Sequence, residues 1–229
     1  MITDLETTPT FEGFIEMALN ARLMKLHVGM PATVLSYDPS QSSCSVQPNL
    51  KRKDTQGVLR SLPVISNVPV GHLRAGKSIV HVPVAAGSTV YLHFSERSID
   101  SWKKAGGIQS PEDARLHDLS DAVAYPGYYS FADKVTVSDP AALTLMNDKA
   151  VVALSASGAI KFTNDKVQAE FTADGKFKFS NGTVELLDLL NQTLQAILDA
   201  RVNTIFGPQP VVNLATFAII QTKLAMLKE

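Results

Sequence analysis

Residues 148–164, DKAVVALSASGAIKFTN, align without a gap on residues 165–181, DKVQAEFTADGKFKFSN. No other feature constrains the fold of this chain as strongly. A half-unit, ALTLMN (142–147), precedes the two copies, and GTVEL (182–186) begins a further one. Each unit reads strand, turn, strand, turn, with turns at Ser157-Gly158 or Asp174-Gly175 and at Asn164-Asp165 or Asn181-Gly182. Apolar residues recur in register: Leu143, Ile160 and Phe177, then Leu145, Phe162 and Phe179, with Leu154 and Phe171 in the other strand. Lys161 and Lys178 lie between them, so period-two alternation gives each strand one wet and one dry face.

Two and a half such units are too few to bury the dry face by themselves. They either lie as an ordinary meander on the rest of the chain, or are covered by other copies. A parallel homotrimer that winds three dry faces around one axis, as an intertwined β-helix over 137–183, buries them and leaves no long open edge. The gap-free repeat favours the trimer, with a core of Leu143, Leu145, Leu154, Ile160, Phe162, Phe171, Phe177 and Phe179.

Upstream, the periodicity predicts an amphipathic helix within 1–27, capped at Thr8-Pro9 and carrying Phe11, Phe14, Ile15, Ala18, Leu19 and Leu23 at three-and-four spacing. From 28 to 100 the period shifts towards two. PATVLSYD, SSCSVQPNL, LRSLPVIS, SIVHVPV and STVYLHFS read as five short strands, enough for a small barrel. Residues 101–136 read as an ordered connector, because their aromatic and aliphatic residues need something to pack against. Residues 184–229 return to a helical period. TVELLDLLNQTLQAILDARVNTI presents Leu187, Leu190, Leu194, Ile197 and Leu198 along one side. FGPQP then breaks the helix, and Asn213 caps a second one with Phe217, Ile220, Leu224 and Leu227 on a stripe. The expectation is a C-terminal α-helical hairpin whose face at Leu187, Leu190, Leu194 and Ile197 continues the threefold axis as a bundle.

With 19% charged residues and a formal net charge of −1, the chain is not built as a polyanion binder. MITDLETTPTFEGF has no basic region followed by an apolar one and does not read as a secretory signal, so folding in a cytoplasm is expected. LATFAII and LAML are separated by QTK and fall short of the roughly 20 residues of a membrane span. The single cysteine, Cys44, excludes an intramolecular disulfide and is expected to pack in a strand.

HFSERSIDSW (93–102) gathers groups that a hydrolase would use: Ser95 or Ser98 as nucleophile, His93 or His117 as base, Asp100 or Asp118 to orient it. No G-x-S-x-G elbow is present, and alternation turns His93 away from Leu92 and Phe94, so no catalytic residue is expected. His27, His72, His81, His93 and His117 show neither H-x-H nor H-x-x-x-H spacing. They read as surface or capping residues, with no metal and no cofactor implied. The competing function is an oligonucleotide-binding module using the Lys51-Arg52-Lys53 loop. Stacking aromatics on the barrel strands are limited to Tyr37, Tyr91 and Phe94, which argues against nucleic acid as a partner.

FSERSIDSW followed by ARLHDLSDAVAYPGY resembles the signature region of the central spike proteins of contractile phage tails, the Mu-like short spikes. PATVLSYDPSQSSCSVQPNLKR, LPVISNVPV and VPVAAGSTVYLHFSERS resemble the same family's N-terminal oligonucleotide/oligosaccharide-binding (OB) barrel, in order and spacing. The likeness spans roughly residues 12–135. It implies an OB-fold barrel and a trimeric β-helix shaft; with the N-terminal helix and C-terminal α-helical hairpin read from periodicity the fold is mainly β, and the short shaft ending in helices departs from the family. The likeness also implies a homotrimeric spike of the virion baseplate, made in the host cytoplasm. The barrels would dock on the tail hub, and the shaft would pierce the host outer membrane when the sheath contracts. Some members bind iron through an H-x-H at the tip, and some carry a lysozyme domain. Here no histidine follows His117 and only 101–136 lies between barrel and shaft, so neither an ion at the tip nor muralytic activity is expected. The helical end is expected to bind a separate tip protein or to act as a blunt plug. HFSERSIDSW becomes the joint between barrel and shaft, with Glu96 and Arg97 forming salt bridges and Ile99 and Trp102 packing on the barrel.

Overall fold

The structure, a computed structural model, describes residues 10–54, 56–210 and 213–227. The chain divides between Lys134 and Val135 into two compact units. Both are rich in β structure, with few helices.

The first unit opens with α1 (Phe11–Leu23). The cap expected at Thr8-Pro9 lies outside the described residues. The observed cap is Thr10, whose hydroxyl accepts from the Gly13 N–H at 3.2 Å. No residue of the helix is buried. There follow β1 (Gly29–Asp38), β2 (Ser43–Pro48), β3 (Lys51–Lys53), β4 (Leu59–Ser61), β5 (Ile65–Pro69), β6 (Leu73–Ala75), β7 (Ser78–Val80), β8 (Thr89–Phe94), α2 (Asp100–Ala105) and β9 (Ala122–Pro126). Five of the strands make one sheet in the order β5-β2-β1-β8-β9. β1 is long enough to pair with both β2 and β8, and its register with β2 shifts between Val34 and Ser36. Such a bulge sharpens twist, and here the sheet curls into a half-barrel. The two ends of the sheet touch at a single parallel bridge between Val70 and Ala124, where the Gly71 N–H donates to the Ala124 carbonyl at 2.8 Å. Gly71 makes this approach feasible, since a Cβ there would lie 2.5 Å from Cε1 of Tyr125.

Alternation decides what the curl encloses. Ala32, Val34, Val46, Val68, Val90, Leu92, Phe94, Ala122 and Ala124 point inward and are almost completely buried, with Cys44 among them. Burial pushes the Cys44 thiol up to about 11, so it behaves as a small apolar side chain.

Two expectations for this unit need correction. LRSLPVIS and SIVHVPV do not enter the sheet whole: Leu59–Ser61 pairs with the basic strand β3, Ser78–Val80 pairs with β6, and both hairpins are exposed. The fifth strand of the sheet is instead β9, inside the stretch taken as a connector, where it pairs antiparallel with β8 from Val90-Pro126 to Phe94-Ala122. AVAYP has only small residues, Ala122 and Ala124, on its inward side. A strand that fills a crowded closure carries a weak apolar signal.

The second unit contains β10 (Leu143–Asn147), β11 (Ala150–Leu154), β12 (Ile160–Thr163), β13 (Gln168–Phe171) and β14 (Phe177–Ser180), one antiparallel sheet in chain order. The repeat recurs in the turn chemistry. The Ser155 hydroxyl accepts from the Ala159 N–H and the Thr172 hydroxyl from the Lys176 N–H, both at 3.0 Å. Asn164 Oδ1 accepts from Lys166 N–H and Val167 N–H at 2.8 and 2.7 Å, and Asn181 Oδ1 from Thr183 N–H and Val184 N–H at 3.1 and 2.8 Å. Gly158 and Gly175 supply the left-handed residue of equivalent turns, with φ of 93° and 83°.

After the sheet come α3 (Leu186–Asp199), β15 (Arg201–Thr204), β16 (Gly207–Pro210) and α4 (Leu214–Leu227). The expected helix over 183–205 therefore stops at Asp199. Val202, Thr204 and Ile205 are β-branched, and Thr204 closes a tight turn onto Gly207, so a β-hairpin stands where a simple helical hairpin was expected. The N–H groups of Thr216 and Phe217 donate to the Asn213 carbonyl as α4 begins.

Candidate functional site

The cross-strand register of the second unit sorts its side chains into rows. Leu143, Leu154, Ile160, Phe171 and Phe177 stand directly opposite one another across the five strands, as do Leu145, Val152, Phe162, Ala169 and Phe179. Both rows lie on one face. The other face carries Thr144, Ala153, Lys161, Glu170 and Lys178, with Lys161 Nζ 3.1 Å from Glu170 Oε2. Ten apolar side chains thus form a continuous surface, and the described residues of the second unit leave it open. Leu143 is 67% exposed and Leu145 60%, and none of the ten is fully buried. Phe179 meets Phe171 and Phe177 edge-on, with centroids 5.9 and 5.7 Å apart, so the aromatic end of the face is already ordered. Fully covering a Leu or Phe of this kind is worth about 1.5–3 kcal/mol.

α3 is capped by Glu185, whose carboxylate accepts from the Asp188 N–H at 2.7 Å. Of the expected bundle face, Leu187 is the buried member, held at the sheet end of the helix; Leu194 and Ile197 are half-buried and Leu190 is exposed. α4 touches α3, with Gln221 Nε2 donating to Gln195 Oε1 at 3.1 Å. No residue of α4 is buried.

In the first unit, HFSERSIDSW is organised by a network the sequence reading missed. Asp121, completely buried, accepts from the Ile99 N–H at 3.0 Å and from Arg115 through Nε at 2.7 Å and Nη2 at 2.8 Å. Arg115 also donates to Asp113 at 2.8 Å and to Asp100. The Arg115 guanidinium holds the Asp100 carboxyl below the usual carboxylate range. One arginine therefore ties α2, the 113–121 segment and the exit from β8 together. The readable signal was DARLHDLSD, three aspartates around one arginine.

The expected joint residues Arg97 and Trp102 lie at the edge of this network. Arg97 faces only its neighbour Glu96, at 3.3 Å on the surface. Trp102 lies beside β2 and β5 of the curled sheet. It is 50% exposed and lines a shallow hollow with Gln41, Asn67 and Pro69. Asp100 lies inside the first turn of α2, whose cap position is Ile99.

Among the described residues no hydrogen bond links Ser95 or Ser98 to His93 or His117. His93 points outward, Ser98 Oγ is buried with no partner, and Asp118 accepts from the Ser120 N–H and hydroxyl at 2.9 and 2.6 Å. Two histidines depart from the surface role expected of them: both ring nitrogens of His72 are buried, its ring 5.0 Å from that of His81, and His117 Nδ1 is buried too. No described helix is long and apolar enough to cross a membrane.

Residues 30–127 match the family model of the phage protein Gp138 N-terminal domain. The match covers the curled sheet and the Arg115 network. It supports a phage protein, and together with the β-rich fold it suggests a structural component of the virion. No curated protein matches the chain.

Proposed function

We propose that this phage protein is the central spike of a contractile tail: a non-catalytic homotrimer at the end of the tail tube whose shaft pierces the host outer membrane. The observation that carries this reading is the open apolar face of β10–β14. Ten side chains in two straight rows require a cover, and three copies wound about one axis supply it symmetrically. The trimer core would be Leu143, Leu145, Leu154, Ile160, Phe162, Phe171, Phe177 and Phe179, extended by Leu187, Leu190, Leu194 and Ile197 of α3. The curled sheet of the first unit serves as an OB-type barrel that seats on the tail hub, and the C-terminal end meets a separate tip protein. Many strand hydrogen bonds loaded together would let such a shaft transmit force. Sedimentation equilibrium of the full chain tests this: a heat- and detergent-resistant trimer is expected, and a monomer at micromolar concentration overturns it.

A second reading, an OB-type module that binds single-stranded nucleic acid, draws on the exposed β3–β4 hairpin, where Arg52 stands directly opposite Arg60 beside Lys51 and Lys53. Asp54 already neutralises Arg60 at 2.7 Å. A labelled oligonucleotide at low salt is expected to give a flat titration, and salt-dependent binding would favour the module.

A further inference from the structure

The repeat that makes a shaft also makes it ambiguous. Shifted by one unit, Leu143 falls on Ile160 and then Phe177, Leu145 on Phe162 and then Phe179, Leu154 on Phe171, and Val152 on Ala169. The turns coincide as well, Ser155 with Thr172 and Asn164 with Asn181, down to the backbone N–H groups that each side chain accepts. Three chains packed through these faces can therefore slip past one another by one unit, roughly 10 Å along the axis at about 4.8 Å per strand. The slipped state presents the same kinds of side chain to the axis, and register is weakly specified where the pattern repeats. Something outside the repeat has to fix it.

We infer that α4 is this register clamp, and that its occupant is α3 and α4 of the neighbouring copies. The inference rests on the trimeric reading above. LATFAIIQTKLAML has no counterpart in the repeat, and its apolar residues are not confined to one stripe. Phe217 and Leu224 are half-buried, whereas two heptad-spaced pairs, Ile219 with Met226 and Ile220 with Leu227, stay exposed, Ile219 at 57% and Met226 at 71%. A helix apolar on several sides belongs inside a bundle. Charge is compatible with such a bundle. α3 carries Asp188 and Asp199 and no base, while α4 carries Lys223 and no acid. Each α4 thus complements an α3, and three α3–α4 pairs make a closed set. Because the α3–α4 sequence occurs once per chain, helices that pack only at one height hold all three shafts at that height.

The test uses the full chain with Ile219→Glu and Met226→Glu, both exposed in the single chain, so that its own α3–α4 contact is left alone. Differently tagged chains carrying Val152→Cys or Ala169→Cys, one repeat apart on the apolar face, are co-expressed and treated with a short bis-maleimide. Buried Cys44 stays out of the reaction. Unsubstituted α4 should give trimers cross-linked 152 to 152 and 169 to 169. The Glu pair should raise 152-to-169 products at least tenfold, and a three-stranded coiled coil appended to the variant chain should remove them. If the variant is monomeric, restoration of an in-register trimer by the coiled coil supports the clamp equally. In-register trimers from the variant alone, mixed products with α4 intact, or no rescue by the coiled coil overturn it. A native chain that is itself monomeric instead sinks the trimeric reading.

Discussion

The two units contain the same kind of strand and treat it in opposite ways. In the first, Val34, Val46, Val90, Leu92 and Phe94 alternate inward on a sheet that curls until its ends meet at Val70 and Ala124, and the core is buried. In the second, Leu143, Leu145, Phe162, Phe171 and Phe179 alternate with equal regularity on a sheet that does not close, and they remain exposed. Apolar content does not separate them; curvature does. The first sheet has a bulge in a ten-residue strand and small residues at the closure. The second has strands of four or five residues, tight turns and no register shift, so its face stays open.

The comparison breaks most visibly at the open face. Phe162→Asp with Phe179→Asp should abolish assembly while leaving the melting of the first unit in place. Calorimetry together with sedimentation checks this, and a trimer that survives both charges would show that the face is not an interface. Leu92→Ala is the converse. It should cost the first unit about 2–5 kcal/mol, read by denaturant melting, with no change in oligomeric state. Asp121→Asn comes next, because it removes the buried partner of Arg115. About 3 kcal/mol is expected, the low end for a broken buried pair, since Asp100 and Asp113 still face the guanidinium.

Acid supplies a finer probe of the same network. Asp100 has its carboxyl held low by Arg115, so its contribution is present at neutral pH and is lost as pH falls through that depressed value, below the ordinary range near 3.9. Asp100→Asn should flatten the acid limb of the first unit's stability curve below about pH 4, and an unchanged limb would remove Asp100 from the account. The smallest effect is expected at Arg97. Its surface pair with Glu96 makes Arg97→Ala worth under about 0.5 kcal/mol, and a shift of several degrees in Tm would show that Arg97 has a further partner.

By itself the sequence determined whatever depends on local period. The 17-residue repeat, its turns at the Ser-Gly, Asp-Gly and Asn positions, the side of β8 that carries Leu92 and Phe94, and the helical character of 186–199 and 214–227 could all be read residue by residue. It misplaced what depends on partners distant in the chain. β9 could not be recognised from AVAYP, because its identity as a strand comes from β8 and not from its own apolarity. Arg115 sat unnoticed among aspartates until the fold brought it onto Asp100 and the buried Asp121, whereas Arg97, in the more suggestive motif, met only its neighbour. The hairpin at 201–210 interrupted a helix whose apolar spacing continued on paper. Alternation says which side chains share a face. Only the tertiary structure shows that the first sheet curls over its apolar face and that the second leaves its own uncovered.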